Sequence, residues 1–468
     1  MARKVVVGAW AALLALAGSA QAAVDPIRAA FVVLGENGVP QARVITSARA
    51  CPPVRIDGQV LKMTARAPPE TVPLRPTRSS PAESKPAAFP VLTCEAALPV
   101  GAKTAAVGGH RLPLPKAEPR RIVVIGDTGC RIKTSDKAFQ ACNDVGEYPF
   151  SRVAASAAAW KPDLVVHVGD YLYRENACPD DQSGCKGSVW GYGWDAWNAD
   201  FFAPGKALLS AAPWIVVRGN HESCNRAGQG WWRFLEPRAL VRGRDCNEAK
   251  DDGVGDYDDP YAAPIGQGGQ FIVIDSSNTQ NSALPPDSRA AEAYRADWAK
   301  YAALASLQPN SIMVDHHPIL ALAATQKSGK VVLNPGNGGL QSVYGAFSPT
   351  FTPPNVKMLL SGHVHVWEAI TFSTPHPIQF VAGFSGTQED IVPLPRFPPS
   401  DAKVAAGAVI KTFSSWVDGF GFMTMDRFAP DGWDVEVHDI NGKVVNHCKV
   451  EGTQTECDTP QVVAPARP

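Results

Sequence analysis

The stretch RIVVIGDTG at residues 121–129 shows a pattern that recurs along the rest of the chain. A mostly apolar run comes first, and a Gly-Asp pair follows it directly. The continuous apolar run predicts a strand buried on both faces, at residues 121–125. Glycine before the polar residue allows a sharp turn. We therefore expect Asp127 at the carboxyl end of this strand.

The same kind of apolar run recurs downstream. The runs predicted as strands are 164–168, 214–217, 271–274, 312–314 and 358–360. Helices are predicted between strands at 151–160 and 288–307. Alternation of strands and helices indicates an α/β fold with covered sheets.

Most of these strands end in a short polar cluster. The clusters are Gly126-Asp127, Gly169-Asp170, Gly219-Asn220-His221, Asp315-His316-His317 and Gly362-His363-Val364-His365. A single Asp after a strand is more often a turn or cap residue. Sheets of this class bind ligands at the carboxyl ends of their strands, so five such clusters indicate one common site. Carboxylate, amide and imidazole donors without thiolate suit Fe, Mn or Zn.

Together these motifs resemble those of the calcineurin-like metallophosphoesterases, over roughly residues 120–370. The resemblance rests on GDTG at 126–129, GDYLY at 169–173, GNHE at 219–222, HHP at 316–318 and GHVH at 362–365. Many relatives have His where this chain has Gly129, and Tyr173 stands where purple acid phosphatases have an iron ligand. The chain is therefore most similar to that subgroup. The resemblance implies a two-sheet β-sandwich flanked by helices.

The resemblance also implies a centre of two metal ions. The first ion would be bound by Asp127, Asp170, Tyr173 and His365, and the second by Asp170, Asn220, His316 and His363. Three anionic donors favour Fe³⁺ in the first site, whereas the second favours a divalent ion such as Fe²⁺, Zn²⁺ or Mn²⁺. His316 is preferred over His317 because similar proteins carry the ligand two residues before Pro, and His317 remains the alternative.

The implied activity is hydrolysis of small phosphate esters by an acid phosphatase-like phosphomonoesterase. His221 would contact the phosphate or protonate the leaving group without binding metal. A phosphodiesterase acting on nucleotides or lipid head groups is an alternative, because the same centre serves both reactions. A non-catalytic scaffold is a third possibility, which the complete ligand set opposes. Arg131, Arg174 and Arg218 are either phosphate contacts or solvated surface residues.

Composition and the N-terminal region add the domain organisation. The 468 residues are 45% hydrophobic and 19% charged, as in ordinary globular proteins. A net charge of -1 argues against a nucleic-acid polymer as partner. Residues 1–22 are predicted to be a signal peptide, residues 23–115 a small β-rich domain and residues 116–468 the catalytic domain. No later segment predicts a membrane span, and the oligomeric state is not indicated.

The ten cysteines point to an oxidising compartment, so the periplasm or the extracellular space is expected. Their spacing suggests pairing between neighbours. The suggested pairs are Cys51 with Cys94, Cys130 with Cys142, Cys178 with Cys185, Cys224 with Cys246 and Cys448 with Cys457. Other pairings remain open, because spacing does not determine connectivity.

Overall fold

The computed structural model describes residues 25–389, 402–417 and 419–458. The predicted signal peptide at residues 1–22 lies outside these ranges. Two large mixed sheets dominate the described part of the chain, one with eleven strands and one with seven. The predicted α/β class is confirmed.

The first sheet combines strands from both ends of the chain with strands from its middle. Across the sheet, the order is Gln454–Cys457, Val444–Glu451, Gly432–Asp439, Gly421–Ala429, Arg121–Ile125, Leu164–His167, Trp214–Val216, Ile27–Leu34, Pro40–Thr46, Leu92–Ala97 and Thr64–Ala67. The three central strands that begin at Arg121, Leu164 and Trp214 run parallel.

The second sheet is built from the later part of the chain. Its order is Tyr261–Pro264, Gly269–Val273, Asn310–Val314, Val356–Ser361, Ile378–Ala382, Trp367–Phe372 and Ile410–Trp416. The four strands from Gly269–Val273 to Ile378–Ala382 are parallel to one another.

Short sheets and helices complete the fold. One four-stranded sheet has the order His110–Arg111, Ala105–Val107, Val54–Ile56 and Gln59–Leu61, and the two-stranded ribbons pair Glu70–Val72 with Ala87–Phe89, Ile132–Lys133 with Ala138–Phe139, and Leu322–Lys327 with Lys330–Pro335. The α-helices are Phe150–Ala159, Trp194–Trp197, Lys206–Leu209, Gly228–Phe234, Asp252–Gly255, Arg289–Ser306 and Gly338–Tyr344. A π-helical turn spans Asn198–Phe202, and 3₁₀ turns span Glu36–Gly38, Pro81–Glu83, Thr134–Asp136, Asn220–Glu222 and Ala249–Asp251.

The core shows how the two sheets stack. Ile122 and Val124 of the first sheet pack in one apolar cluster with Ile312 and Leu360 of the second. Side chains alternate between faces along a strand. Val123 accordingly lies in a different cluster, with the helix Phe150–Ala159 on the outer face of the first sheet.

The outer face of the second sheet is covered in the same way. Met313 and Leu359 pack with Tyr294 and Tyr301 of the helix Arg289–Ser306. This helix begins at the N-cap Ser288, whose side chain accepts a hydrogen bond from the amide of Ala291. The predicted two-sheet sandwich flanked by helices is therefore confirmed.

The N-terminal strands continue the first sheet. Ile27–Leu34 pairs in parallel with Trp214–Val216 through the register Val33 to Trp214. Strand pairing thus crosses the predicted boundary near residue 115. The division into a small N-terminal domain and a catalytic domain stays a prediction.

All five suggested disulfides are present. They join Cys51 to Cys94, Cys130 to Cys142, Cys178 to Cys185, Cys224 to Cys246 and Cys448 to Cys457. Five disulfides indicate a compartment outside the reducing cytoplasm. Among the described residues, no helix has the length and apolarity that a membrane span requires.

Candidate metal centre

The parallel strands of both sheets bring the predicted site residues to one place. Asp127 and Asp170 follow strands of the first sheet, and Asn220 follows the third parallel strand there. His316 and His363 follow two adjacent strands of the second sheet. Because these strands end at the same edge of the sandwich, their polar ends meet across it.

One group of side chains surrounds the phenol oxygen of Tyr173. This oxygen lies 2.7 Å from Asp127 Oδ1, 2.7 Å from Asp170 Oδ2 and 3.1 Å from His365 Nε2. His365 Nε2 is also 3.3 Å from Asp127 Oδ1. The Nδ1 atom of His365 lies 2.8 Å from the carbonyl oxygen of Gln388, which orients Nε2 toward the carboxylates.

A second group surrounds the side-chain oxygen of Asn220. Asn220 Oδ1 lies 3.1 Å from His316 Nε2 and 3.1 Å from His363 Nδ1. His316 Nε2 is also 3.2 Å from Asp170 Oδ2, so Asp170 belongs to both groups. The Nδ1 atom of His316 lies 2.9 Å from the carbonyl oxygen of Val168, which fixes the ring. The structure thus brings all seven predicted ligand residues together.

Three of these residues have an unusual backbone. Asp127, Asp170 and His363 have φ angles of 53°, 59° and 69°. Residues other than glycine rarely occupy this left-handed region, and such strain concentrates at functional sites. The conformation turns the chain sharply at each strand end and aims the side chain into the centre.

Two glycines allow the close approach of neighbouring segments. Gly169 has a φ of +101°, and a Cβ there would lie 2.5 Å from His316 Nδ1. A Cβ at Gly219 would lie 2.0 Å from Asp170 Oδ1. Any larger residue at either position would displace a candidate ligand.

The donor set around Tyr173 fits a bound cation. A phenol has a single proton, and an ionised carboxylate only accepts hydrogen bonds. Tyr173 therefore cannot satisfy both Asp127 and Asp170, although its oxygen is equally close to each. Asp127, Asp170 and His316 also have ligand atoms within 4.8 Å of one another. A metal ion would neutralise the charge that burial concentrates on these oxygen atoms.

The pKa values of Tyr173 and His316 also indicate a site that favours a cation. Burial, followed by the charges of Asp127 and Asp170, raises the pKa of Tyr173 well above its usual value. Burial is the largest influence on the pKa of His316 and lowers it, but the Asp170 and Asp127 carboxylates together raise that pKa to about 9. The pocket therefore favours positive charge.

His221 lies beside the centre, next to the buried ion pair between Glu175 and Arg226. Its Nδ1 is 3.1 Å from the carbonyl oxygen of Leu172 and 3.2 Å from Glu175 Oε1, and its Nε2 is 3.8 Å from Asp170 Oδ2. Arg226 bonds Glu175 and approaches both ring nitrogens of His221 at 2.6 Å. Burial, with Arg226 next, lowers the pKa of His221 to about 4.

Sequence reasoning did not assign roles to Glu175 and Arg226, and it also missed Asp200. Asp200 is fully buried and accepts hydrogen bonds from the amides of Cys130 at 3.1 Å and Tyr173 at 2.8 Å. It therefore ties the first two motif loops together. Glu175 and Arg226 stand close to motifs in the sequence, whereas nothing local to Asp200 marks it.

His317 and the three arginines near the motifs have other partners. His317 is buried, with Nδ1 3.2 Å from Ser276 Oγ, and it lies beside His316 and His363. Arg174 is buried in an ion pair with Asp200 and Arg218 in one with Asp275, while Arg131 pairs with Asp136 at 2.8 Å. For Arg174 and Arg218 the solvated-surface alternative is therefore wrong, because both guanidinium groups are nearly inaccessible.

Comparison with known families agrees with this geometry. The family model of the calcineurin-like phosphoesterases matches residues 120–367, which contain every candidate ligand. The chain belongs to this family. Membership together with the buried Asp and His cluster identifies a phosphoesterase with a metal-binding centre, and the family pattern indicates two ions.

Solved structures similar to this phosphoesterase include a purple acid phosphatase from yellow lupin (Lupinus luteus) seeds. That structure is 16% identical, with a TM-score of 0.53, and the match covers 90% of this chain and 74% of the lupin chain. A structure described as PhoD is 11% identical over 93% of this chain and 92% of its own, with a TM-score of 0.49. The similarity to the lupin structure shows that this phosphoesterase has the same fold. No curated protein sequence matches this chain.

Proposed function

We propose that this phosphoesterase is a phosphomonoesterase of the acid phosphatase type, acting on small phosphate esters. The observation that carries the proposal is the Tyr173 phenol oxygen between the carboxylates of Asp127 and Asp170, 2.7 Å from each. Family membership supplies the phosphoester class. The tyrosine supplies the finer assignment, because it completes the donor set of the purple subgroup.

The proposed ligands divide between two ions. Asp127, Tyr173 and His365 hold the first, Asn220, His316 and His363 hold the second, and Asp170 is shared. Two carboxylates and a phenolate give the first site three anionic donors, which suits Fe³⁺. One shared carboxylate with neutral donors suits Fe²⁺, Zn²⁺ or Mn²⁺ in the second. His316 is the proposed ligand rather than His317, because His316 Nε2 lies near both Asp170 and Asn220.

The protein residues position the substrate and the leaving group. Two bound ions would supply Lewis acidity and would lower the pKa of a bound water. The Nδ1 atom of His221 lies near Leu172 and Glu175, its Nε2 faces Asp170, and Arg226 lies 2.6 Å from both ring nitrogens. We infer that Nε2 contacts the phosphate or gives a proton to the leaving oxygen. The disulfides suit function in the periplasm or outside the cell, the proposed location.

Metal analysis with visible spectroscopy and kinetics tests the proposal. The purified protein should contain two ions per chain and show a visible charge-transfer band of ferric phenolate. It should hydrolyse a monoester such as 4-nitrophenyl phosphate with a higher kcat/KM than bis(4-nitrophenyl) phosphate, measured from acidic to neutral pH. A preference for the diester would assign the chain to phosphodiesterases, and metal-loaded protein inactive on both would support a scaffold.

A pair of tyrosine variants makes the iron assignment specific. Tyr173→Phe should abolish the visible band, because only the oxygen that would bind iron is removed. Tyr171→Phe is the matched control, since Tyr171 is equally buried in the same loop but stacks on His167 away from the centre. Active, colourless native protein with only Zn or Mn would contradict the iron assignment while leaving the phosphoesterase intact.

A further inference from the structure

A cavity of about 300 Å³ opens beside the candidate metal centre. His363 and Val364 form part of its wall, so the cavity reaches the proposed second metal site. The strand Leu322–Lys327 and the segment 334–337 form much of the remainder. This volume is at the lower end of the range for small-molecule sites in proteins.

The described part of the cavity wall has no Lys, Arg, Asp or Glu side chain to pair with a charged ligand. Apart from the imidazole of His363, its twelve described residues include no Lys, Arg, Asp or Glu. Ala323 and Ala324 contribute apolar surface, and Thr325 and Asn334 contribute hydrogen-bonding groups. Moving an anion from water into such surroundings is unfavourable, whereas an uncharged group meets no such penalty.

We infer that the cavity is the subsite for the leaving group and selects phosphate esters of uncharged alcohols. This inference rests on the proposed phosphomonoesterase function. The phosphate would lie at the metal centre, and the alcohol portion would extend past His363 into the cavity. Esters whose alcohol portion bears a carboxylate or a further phosphate would be poor substrates.

A matched pair of substrates isolates the effect of charge. 4-Nitrophenyl phosphate and 4-carboxyphenyl phosphate have nearly the same shape, but only the second has an anionic leaving portion. The two phenols differ in intrinsic reactivity, so the informative quantity is the change in the kcat/KM ratio between protein variants. That comparison cancels the reactivity of the substrates.

Two lysine variants test the effect of charge, one with the cation in the cavity wall and the other with the cation outside it. Thr325→Lys should shift the kcat/KM ratio toward the carboxylate substrate by at least about threefold, the scale of an exposed ion pair. Gln326→Lys is the control, because the neighbouring exposed residue lies on the same strand but not in the wall. Its ratio should equal that of the native protein.

The outcomes separate this inference from the proposed function. If the native protein hydrolyses both aryl esters and Thr325→Lys leaves their ratio unchanged, the subsite assignment is wrong and the phosphomonoesterase stands. If the metal-loaded native protein hydrolyses neither ester, the proposed function fails and the inference fails with it. A shifted ratio in Thr325→Lys but not in Gln326→Lys supports both.

Discussion

The imidazole of His221 shows how single residues prepare this centre. Its backbone amide donates to Asp170 Oδ1 at 2.8 Å, and its ring packs against Tyr173 with centroids 3.7 Å apart. Glu175 and Arg226 form a buried ion pair against the same ring. His221 therefore contacts the shared carboxylate through its backbone amide and the candidate iron ligand through its ring, but it belongs to neither group of candidate ligands.

This position predicts a functional rather than a structural effect of mutation. His221→Ala should lower kcat by about 10²–10⁴, the usual effect of losing a general acid or base. Metal content should stay near that of the native protein, because every proposed ligand remains. Kinetics and metal analysis of the same preparation measure both quantities. His447→Ala, at a partly exposed histidine in the strand Val444–Glu451, is the control. Loss of metal from the His221 variant would contradict this prediction.

At the scale of elements, the strand Trp367–Phe372 has a carboxylic acid in its buried interior. Glu368 is fully buried, and its only near donor among the described residues is the amide of Leu322, 3.4 Å from Oε2. Burial raises the pKa of Glu368 from 4.5 to about 8, so the acid is neutral in the folded protein at neutral pH. In the unfolded chain it ionises in water at its ordinary pKa.

This difference makes stability depend on pH. The contribution of protonated Glu368 is fully present below the unfolded pKa near 4.5 and is lost as pH rises toward about 8. Glu368→Gln should therefore stabilise the fold more at pH 8 than at pH 5. We expect a gain of a few kcal/mol at pH 8, from about 1.4 kcal/mol for each unit of pKa shift.

Thermal unfolding of the native protein and the variant at both pH values measures this effect. Glu292→Gln, on the exposed side of the helix Arg289–Ser306, is the matched control and should show little change. If Glu368→Gln gave the same gain at pH 5 as at pH 8, packing rather than ionisation would account for the difference in stability between the variant and the native protein.

Across the whole chain, the disulfides fall into two kinds: some hold loops beside the candidate metal centre, and one joins strands at the edge of the first sheet. Cys130–Cys142 closes the segment after Asp127, and Cys224–Cys246 anchors the segment after His221. Cys448–Cys457 instead joins two paired strands at the edge of the first sheet. These bonds should therefore differ in their effect on metal binding.

Removal of one bond of each kind tests this difference. The double variant Cys130→Ser/Cys142→Ser should lose about 3 kcal/mol of stability, the chain-entropy value for a loop of this length, and should also bind metal more weakly. Cys448→Ser/Cys457→Ser, with a separation of 9 rather than 12 residues, should lose similar stability and keep its metals. Denaturant unfolding and metal titration measure the two effects, and equal metal affinity in both variants would contradict the prediction.

Local sequence patterns predicted the central strands, the family and the residues of the candidate site. The runs at 121–125, 164–168 and 312–314 are apolar because their strands are buried on both faces, and a buried strand is visible in sequence. The polar clusters after those strands are equally local, as are the short separations between paired cysteines. These features depend on neighbouring residues alone.

The distant residues that complete these elements are identified only in the folded chain. Ile27–Leu34 joins the first sheet beside Trp214–Val216, which lies far away in the sequence, and no local pattern specifies a strand's partner. Asp200 ties two motif loops together, and the cavity next to His363 arises where the strand Leu322–Lys327 passes the centre. Such contacts depend on packing between segments, so they appear only when the chain is folded.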